Sequence, residues 1–291
     1  MPTVDSLLRQ AARAQPDTPF WVLEKDYALS YLLAGIAQVD KLVDTLVLKG
    51  GTALRKFYFP DYRFSEDLDF TATARLRTVD SDIDAAVKAT QMLLQELGPF
   101  AVTMERLILQ EAHPHGQDSF IVRVRFPSHR EPLCNLKIEI TNDEPVLLPP
   151  VTRSLLHRYP NPPQAKWRCY CLEEIVAEKL RALLQSRAKL RERGWGATRV
   201  CRDYYDLWYV LRQRSLDHSQ FPEVLLRKCA LRDVAFSSSA DFLAADLLAV
   251  ARKEWDRQVQ PFVREGPSVE RVLSDLAGLL ADLPLNVPQL Q

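Results

Sequence analysis

Two aspartates two positions apart, Asp67 and Asp69, stand in the stretch Arg63-Phe64-Ser65-Glu66-Asp67-Leu68-Asp69-Phe70. Residues two apart on a strand point to the same face, so a strand here sets two carboxylates side by side. Such a pair repels itself unless a cation sits between. Oxygen ligands of this kind suit Mg2+, which keeps several waters and completes its shell with substrate phosphates. The same charges also suit an exposed strand edge, with Leu68 and Phe70 apolar on the other face. Upstream, Leu48-Lys49-Gly50-Gly51-Thr52-Ala53-Leu54 reads as a strand, a two-glycine turn and a short helix. Gly50 and Gly51 permit a backbone that a Cβ obstructs and place amides at a helix start, where an anion is favoured. Thr52 adds a hydroxyl. Many strand-to-helix turns use Gly-Gly-Thr for geometry alone, but beside two carboxylates it makes a seat for a nucleoside triphosphate and its magnesium ions.

A third acid comes from Leu136-Lys137-Ile138-Glu139-Ile140, where Lys137 and Glu139 alternate with apolar residues. If this strand lies beside that of the aspartates, Glu139 completes three carboxylates around two metal ions, the arrangement of two-metal nucleotidyl transfer. An ordinary amphipathic strand fits the same pattern. Further on, Lys179 falls in the apolar stripe of Leu172, Ile175, Val176, Leu180 and Leu183. A cation there either snorkels past the core or faces an anion, and a triphosphate needs a fixed positive partner. Asp203 lines up with Leu207 and Val210, although an acid in a first helical turn is also favoured by the helix dipole. Asp206 stands one turn after Arg202 and can pair with it. Arg187, Lys189, Arg191, Arg193, Arg199 and Arg202 surround Gly194-Trp195-Gly196, with only Glu192 opposing them. Such a loop could contact RNA phosphates with Trp195 stacking on a base, or be a solvated loop. His113-Pro114-His115 has no partner at ligand spacing and reads as a loop. No serine, cysteine or histidine triad stands out.

The elements that must position these groups follow from periodicity. Helices are expected at 25–39, 52–59 (stopped by Pro60), 83–97, 172–186, 203–212, 240–250 and 269–280; Ser237-Ser238-Ser239 reads as a helix-starting turn. Strands are expected at 46–48, 67–71, 102–109, 120–126 and 135–141. Prolines cluster at Pro145, Pro149, Pro150, Pro160, Pro162 and Pro163, which suits an extended crossing between two parts of the molecule. The expected fold is α+β: a mixed-sheet domain over 1–150 with a leading helix, then an all-helical domain over 151–291.

Composition bounds the function. The 291 residues carry 38 basic and 38 acidic side chains, so a polyanion would have to meet a local patch. Cys134, Cys169, Cys171, Cys201 and Cys229 are odd in number and show no CxxC pairing, which argues against a disulfide framework and for a reducing cytoplasm. No segment approaches about twenty uninterrupted apolar residues, and no leader is legible, so a soluble, unexported protein is expected.

Assembled, these words resemble the AbiEii/AbiGii toxin family, nucleotidyltransferase-like proteins of bacterial abortive-infection and type IV toxin and antitoxin systems, in the DNA polymerase beta-like superfamily. The resemblance runs in order through Glu24-Lys25-Asp26-Tyr27, Leu48 to Leu54, Arg63 to Phe70, Lys137-Ile138-Glu139, Ala177-Glu178-Lys179-Leu180-Arg181-Ala182 and Arg202-Asp203-Tyr204-Tyr205-Asp206-Leu207. It implies a nucleotidyltransferase fold, with the helical half lending Lys179 and Asp203 to the cleft. Asp67 and Asp69 are then the metal pair and Gly51-Thr52 the Gly-Ser step of the family signature. Lys137 and Glu139 fall on the motif of a lysine and a third acid, which makes Lys137 an NTP contact and Glu139 a metal ligand, although many relatives carry Asp where Glu139 stands. Lys179 is then the triphosphate lysine and Asp203, or Asp206, the acid of the last motif. Magnesium, two ions, with manganese as a substitute, would be the cofactor, NTP the donor, RNA or tRNA the acceptor, and a cognate antitoxin the partner. The last eighty residues contribute none of the quoted words. The same site could serve a protein or small-molecule hydroxyl, and a non-catalytic nucleotide- or partner-binding protein could keep the fold.

Overall fold

The computed structural model describes residues 3–108, 116–160, 162–197 and 199–285. Its chain divides into two compact units, Met1–Tyr170 and Cys171–Gln291.

The first unit opens with α1 (Val4–Ala14), α2 (Phe20–Ile36) and α3 (Asp40–Thr45). β1 (Leu46–Lys49) runs into α4 (Gly50–Ala53), which continues as a π-helical turn, Leu54–Tyr58, before Pro60. β2 (Asp67–Ala72), α5 (Val79–Gln95), β3 (Ala101–Leu107), β4 (Gln117–Arg125), β5 (Cys134–Thr141), β6 (Val151–Ser154) and β7 (Lys166–Cys169) follow. The strands form one seven-stranded sheet in the order β3-β4-β5-β2-β1-β7-β6. It is mixed: β2 runs parallel to β5 and β1 parallel to β7, and the other neighbours are antiparallel.

Alternation in β2, β4 and β5 separates two faces. Leu68 and Phe70, Phe120 and Val122, and Ile138 and Ile140 are all fully buried on one of them. α2 and α5 pack together, α2 also on β5 and α5 on β3. From Val22 to Ile36 nearly every residue of α2 is buried, so it lies inside the unit, not on its surface. Trp167 of β7 donates its indole N–H to the Leu33 carbonyl at 3.1 Å.

Burying α2 all round takes charges with it. Asp26 accepts from Lys56 Nζ at 2.7 Å and Arg55 Nε at 3.3 Å, all three buried. Burial raises the Asp26 pKa, but the two cations outweigh it and hold the carboxyl at about 2. Both cations come from the π-helical turn, where Phe59 N–H reaches back five residues to the Leu54 carbonyl. Beside this cluster, the ring of His157 lies 5.5, 5.9 and 5.1 Å from those of Tyr27, Tyr31 and Tyr159. Neither ring nitrogen has a hydrogen-bond partner. Burial first, then the nearby Lys56 ammonium, pushes the His157 pKa down to about 3. Between that value and an unfolded value near 6.5, the unfolded chain binds the extra proton, so stability falls as pH falls through this window. Denaturant titrations at pH 7 and pH 5 should show the wild type losing about 2 kcal/mol more than His157→Phe between the two; equal losses would remove His157 as the cause.

The second unit is helical: α6 (Leu172–Arg193), α7 (Val200–Gln213), α8 (Phe221–Ala230), a 3-10 turn at Ser239–Leu243, α9 (Ala245–Gln258), a 3-10 turn at Gln260–Phe262, and α10 (Val269–Ala281). α7 packs on α6, α9 and α10, and α8 on α6. Ser238 caps the first 3-10 turn through a capping box with Asp241, as the serine run leads one to expect. α6 ends on Gly194 in the left-handed conformation, at φ 76°. Its α8 contact encloses Lys228, fully buried, with Nζ 2.8 Å from the equally buried Glu174 and 3.1 Å from Glu178.

The α+β reading holds, with three corrections. The prolines do not end the sheet: β6 and β7 lie beyond Pro150, so residues after it are not all helical and the chain divides after Tyr170. α6 runs on to Arg193, so Arg187, Lys189, Arg191 and Arg193 sit on a helix and not on a loop. The stretch 240–250 is a 3-10 turn followed by α9, not one helix. His113 and His115 lie outside the described residues.

Candidate active site

In the first unit the site is built where β1 ends. Gly50 takes a φ of 72°, a conformation that L side chains rarely adopt, and a Cβ there would come within 2.9 Å of Asp69 Oδ2. The glycine therefore lets the turn close over the β2 carboxylate. Gly51 is tight for a different reason: its Cβ would meet Arg63 Nη2 at 2.8 Å and Ser65 Oγ at 3.0 Å. Thr52 is fully buried, and its hydroxyl donates to the Asp67 main-chain carbonyl. That hydroxyl ties α4 to β2, which is a different task from the phosphate contact the sequence suggests.

β2 then carries Asp67 and Asp69 on the face opposite Leu68 and Phe70, both partly exposed while the apolar pair is fully buried. Register completes the row. Asp69 pairs with Lys49 of β1 on one side and Glu139 of β5 on the other, and Asp67 pairs with Lys137. Glu139 is thus next to the aspartates, as expected if the strands are neighbours. Its Oε1 accepts from Lys137 Nζ at 2.6 Å and from Gln117 Nε2 at 2.6 Å. Lys49 is nearly buried, its Nζ 3.7 Å from Glu144 and 5.7 Å from the centre of the Tyr170 ring.

Two partly exposed carboxylates on one face, against a turn that has no room for a Cβ, form a donor set that fits a hard divalent cation. Among the described residues no three His, Cys, Asp or Glu side chains are placed to share one metal ion. Asp67 and Asp69 are the pair that would hold it.

In the second unit, Lys179 of α6 meets α7. Its Nζ lies 2.7 Å from Asp203 Oδ1 and 2.8 Å from Asp206 Oδ2, with only 17% of the lysine side chain exposed. Asp203 and Asp206 are three apart on a helix and so share a face. The ammonium of this stripe lysine therefore faces carboxylates of its own unit. The basic cluster is less open than its sequence suggests. Arg187 reaches Asp241 at 3.1 Å and Asp246 at 3.7 Å, and Arg191 reaches Asp246 at 3.5 Å. Lys189 is exposed, Arg193 lies 3.8 Å from Glu192, and Trp195 is 68% exposed.

With this geometry, the chain matches a family model described as the nucleotidyl transferase AbiEii toxin of type IV TA systems, over residues 31–276. The protein belongs to the AbiEii family. It is a nucleotidyltransferase of a toxin and antitoxin family. Its fold is similar to that of MenT4, a nucleotidyltransferase toxin from Mycobacterium tuberculosis H37Rv, with a TM-score of 0.62 at 23% identity, over 97% of this chain and 91% of that one. It is also similar to JHP933 from Helicobacter pylori, with a TM-score of 0.53 at 18% identity, over 90% and 91% of the two chains. Comparison with curated proteins returned no match. Within the AbiEii frame, the sequence reading gave no role to Lys49, Arg63 or Ser65. The first stands in the quoted glycine-turn word and the other two in the aspartate word, but only the fold brings their side chains to the row and the turn. No described helix is long and apolar enough to cross a membrane.

Proposed function

We propose that this AbiEii-family protein moves a nucleoside monophosphate from an NTP to a hydroxyl of an RNA, with tRNA as the class the family resemblance suggests, in a magnesium-dependent reaction. The observation that carries the reading is Asp67 and Asp69 on one strand face, closed over by the Gly50 turn. The first-turn amides after Gly50 and Gly51 suit phosphate oxygens. In the second unit, Asp203 and Asp206 hold the Lys179 ammonium, a point charge of the kind that binds phosphate. The acceptor oxygen forms a bond to the α-phosphorus, the bond to the β-phosphate oxygen breaks, pyrophosphate leaves, and the hydroxyl proton passes to a carboxylate or water. Bound magnesium, which manganese could replace, would offset the developing phosphate charge. Exposed Trp195 with Lys189 and Arg193 offers a stacking and phosphate contact for RNA; Arg187 and Arg191 keep their acidic partners and contribute less. Five free cysteines, and a reaction that uses NTP and RNA, suit the cytoplasm. A cognate antitoxin is the expected partner.

The test is incubation with magnesium, each α-labelled NTP in turn and total RNA, beside Asp67→Ala/Asp69→Ala. Label on RNA that vanishes in the variant supports the proposal and names the base. Label on protein or a small molecule moves the acceptor class, and unlabelled RNA in every reaction ends the RNA reading.

A further inference from the structure

Glu139 has a task that competes with metal binding. One of its oxygens takes both the Lys137 ammonium and the Gln117 amide, each at 2.6 Å, and that amide also reaches Ser119 Oγ at 2.9 Å. β4 and β5 pair so that Ser119 lies beside Glu139 and Gln117 beside Thr141, which brings both side chains onto the site face. Lys137 and Glu139 are two apart on β5, beside Asp67 and Asp69 respectively. The row therefore already holds an internal cation next to the aspartate pair. A second divalent ion entering at this Glu139 oxygen would have to displace two donors and lie against an ammonium. Like charges at contact distance are costly in a partly buried site. The absence of any three-acid grouping among the described residues agrees with this.

We propose that the site binds one divalent cation, on Asp67 and Asp69, and that the Lys137 ammonium, anchored by Glu139 and Gln117, is the second fixed positive charge that the triphosphate meets. This rests on the nucleotidyl-transfer reading and departs from its usual pair of ions. Lys137 carries three donors and no acceptor, so it neutralises phosphate oxygens without taking the proton of the attacking hydroxyl. Glu139 is then a positioning residue for Lys137, not a metal ligand. An Asp at this position, shorter by a methylene, would hold the lysine less well.

The experiment counts Mn2+ by electron paramagnetic resonance on the full chain with an equimolar α,β-methylene NTP analogue, which binds but cannot react. One bound Mn2+ per chain is expected. Glu139→Gln should keep that count with affinity changed by about twofold or less, whereas Asp69→Asn should weaken it by at least about tenfold. Lys137→Met should weaken analogue binding by about tenfold and Lys137→Arg restore most of it, as a point-charge role requires. Circular dichroism of each variant reports folding. Two Mn2+ in the wild type, a tenfold loss of Mn2+ affinity in Glu139→Gln, or unchanged analogue binding in Lys137→Met overturns the proposal and leaves nucleotidyl transfer standing. A chain that binds neither analogue nor Mn2+ overturns both.

Discussion

Asp67→Asn should lower kcat/KM for nucleotidyl transfer by about a thousandfold or more, near 4 kcal/mol of lost transition-state stabilisation, and leave the protein folded. The side chain is nearly isosteric, so what changes is charge. Asparagine offers the cation one neutral oxygen in place of a carboxylate, and the site has few acids to spare on that face. The tie to Thr52 survives, because its hydroxyl binds the main-chain carbonyl of Asp67 and not its carboxylate. Partly exposed strand residues of this kind cost little in stability when changed without loss of shape. Steady-state rates with the labelled NTP, beside thermal melts, check both halves. More than about a tenth of wild-type activity in a folded Asp67→Asn protein would remove Asp67 from metal binding.

The largest effect on stability should come from Lys228, which stands in none of the quoted motifs. Lys228→Met removes the ammonium that faces Glu174 at 2.8 Å where both side chains are fully buried. Breaking a buried pair by deleting one partner costs about 3–5 kcal/mol, because the other charge stays in a poor solvent. Replacing Glu174 as well removes the fully buried carboxylate and leaves Glu178, which is partly exposed, so Lys228→Met/Glu174→Leu should recover most of the loss. A double-mutant cycle on the melting of the variants measures it. If the double variant is no more stable than Lys228→Met, the damage comes from packing and not from a stranded carboxylate.

How much of this was legible in the sequence depended on the range of the interaction. Asp67, Asp69 and the glycine turn are local patterns with a period of two and a strand-to-helix break, and the structure builds them where the residues stand. Glu139 could be placed on a strand, but not beside a particular strand; pairing with β2 is a matter of topology. β6 and β7 escaped because they are four residues each, flanked by prolines, and show no full alternation. α8 is short and opens on a proline, so its helical stripe is only ten residues long. The acids that neutralise Arg187 are more than fifty residues downstream, beyond any local window. Asp26, Lys56 and Lys228 look like surface charges in their own segments. Only folding reveals that each faces an opposite charge across a core.

The π-helical turn at Leu54–Tyr58 makes the spacing after the glycine turn intolerant of length change. A single deletion at Leu54 or Arg55 lets the turn close as an α turn, but it moves Lys56 back one position and swings its side chain by about 100° around the axis. Lys56 would then leave Asp26, and the carboxylate would be left inside α2. An insertion or deletion here should be far rarer among functional variants than substitutions at the same positions, and a saturating indel library selected for folding would read this intolerance directly.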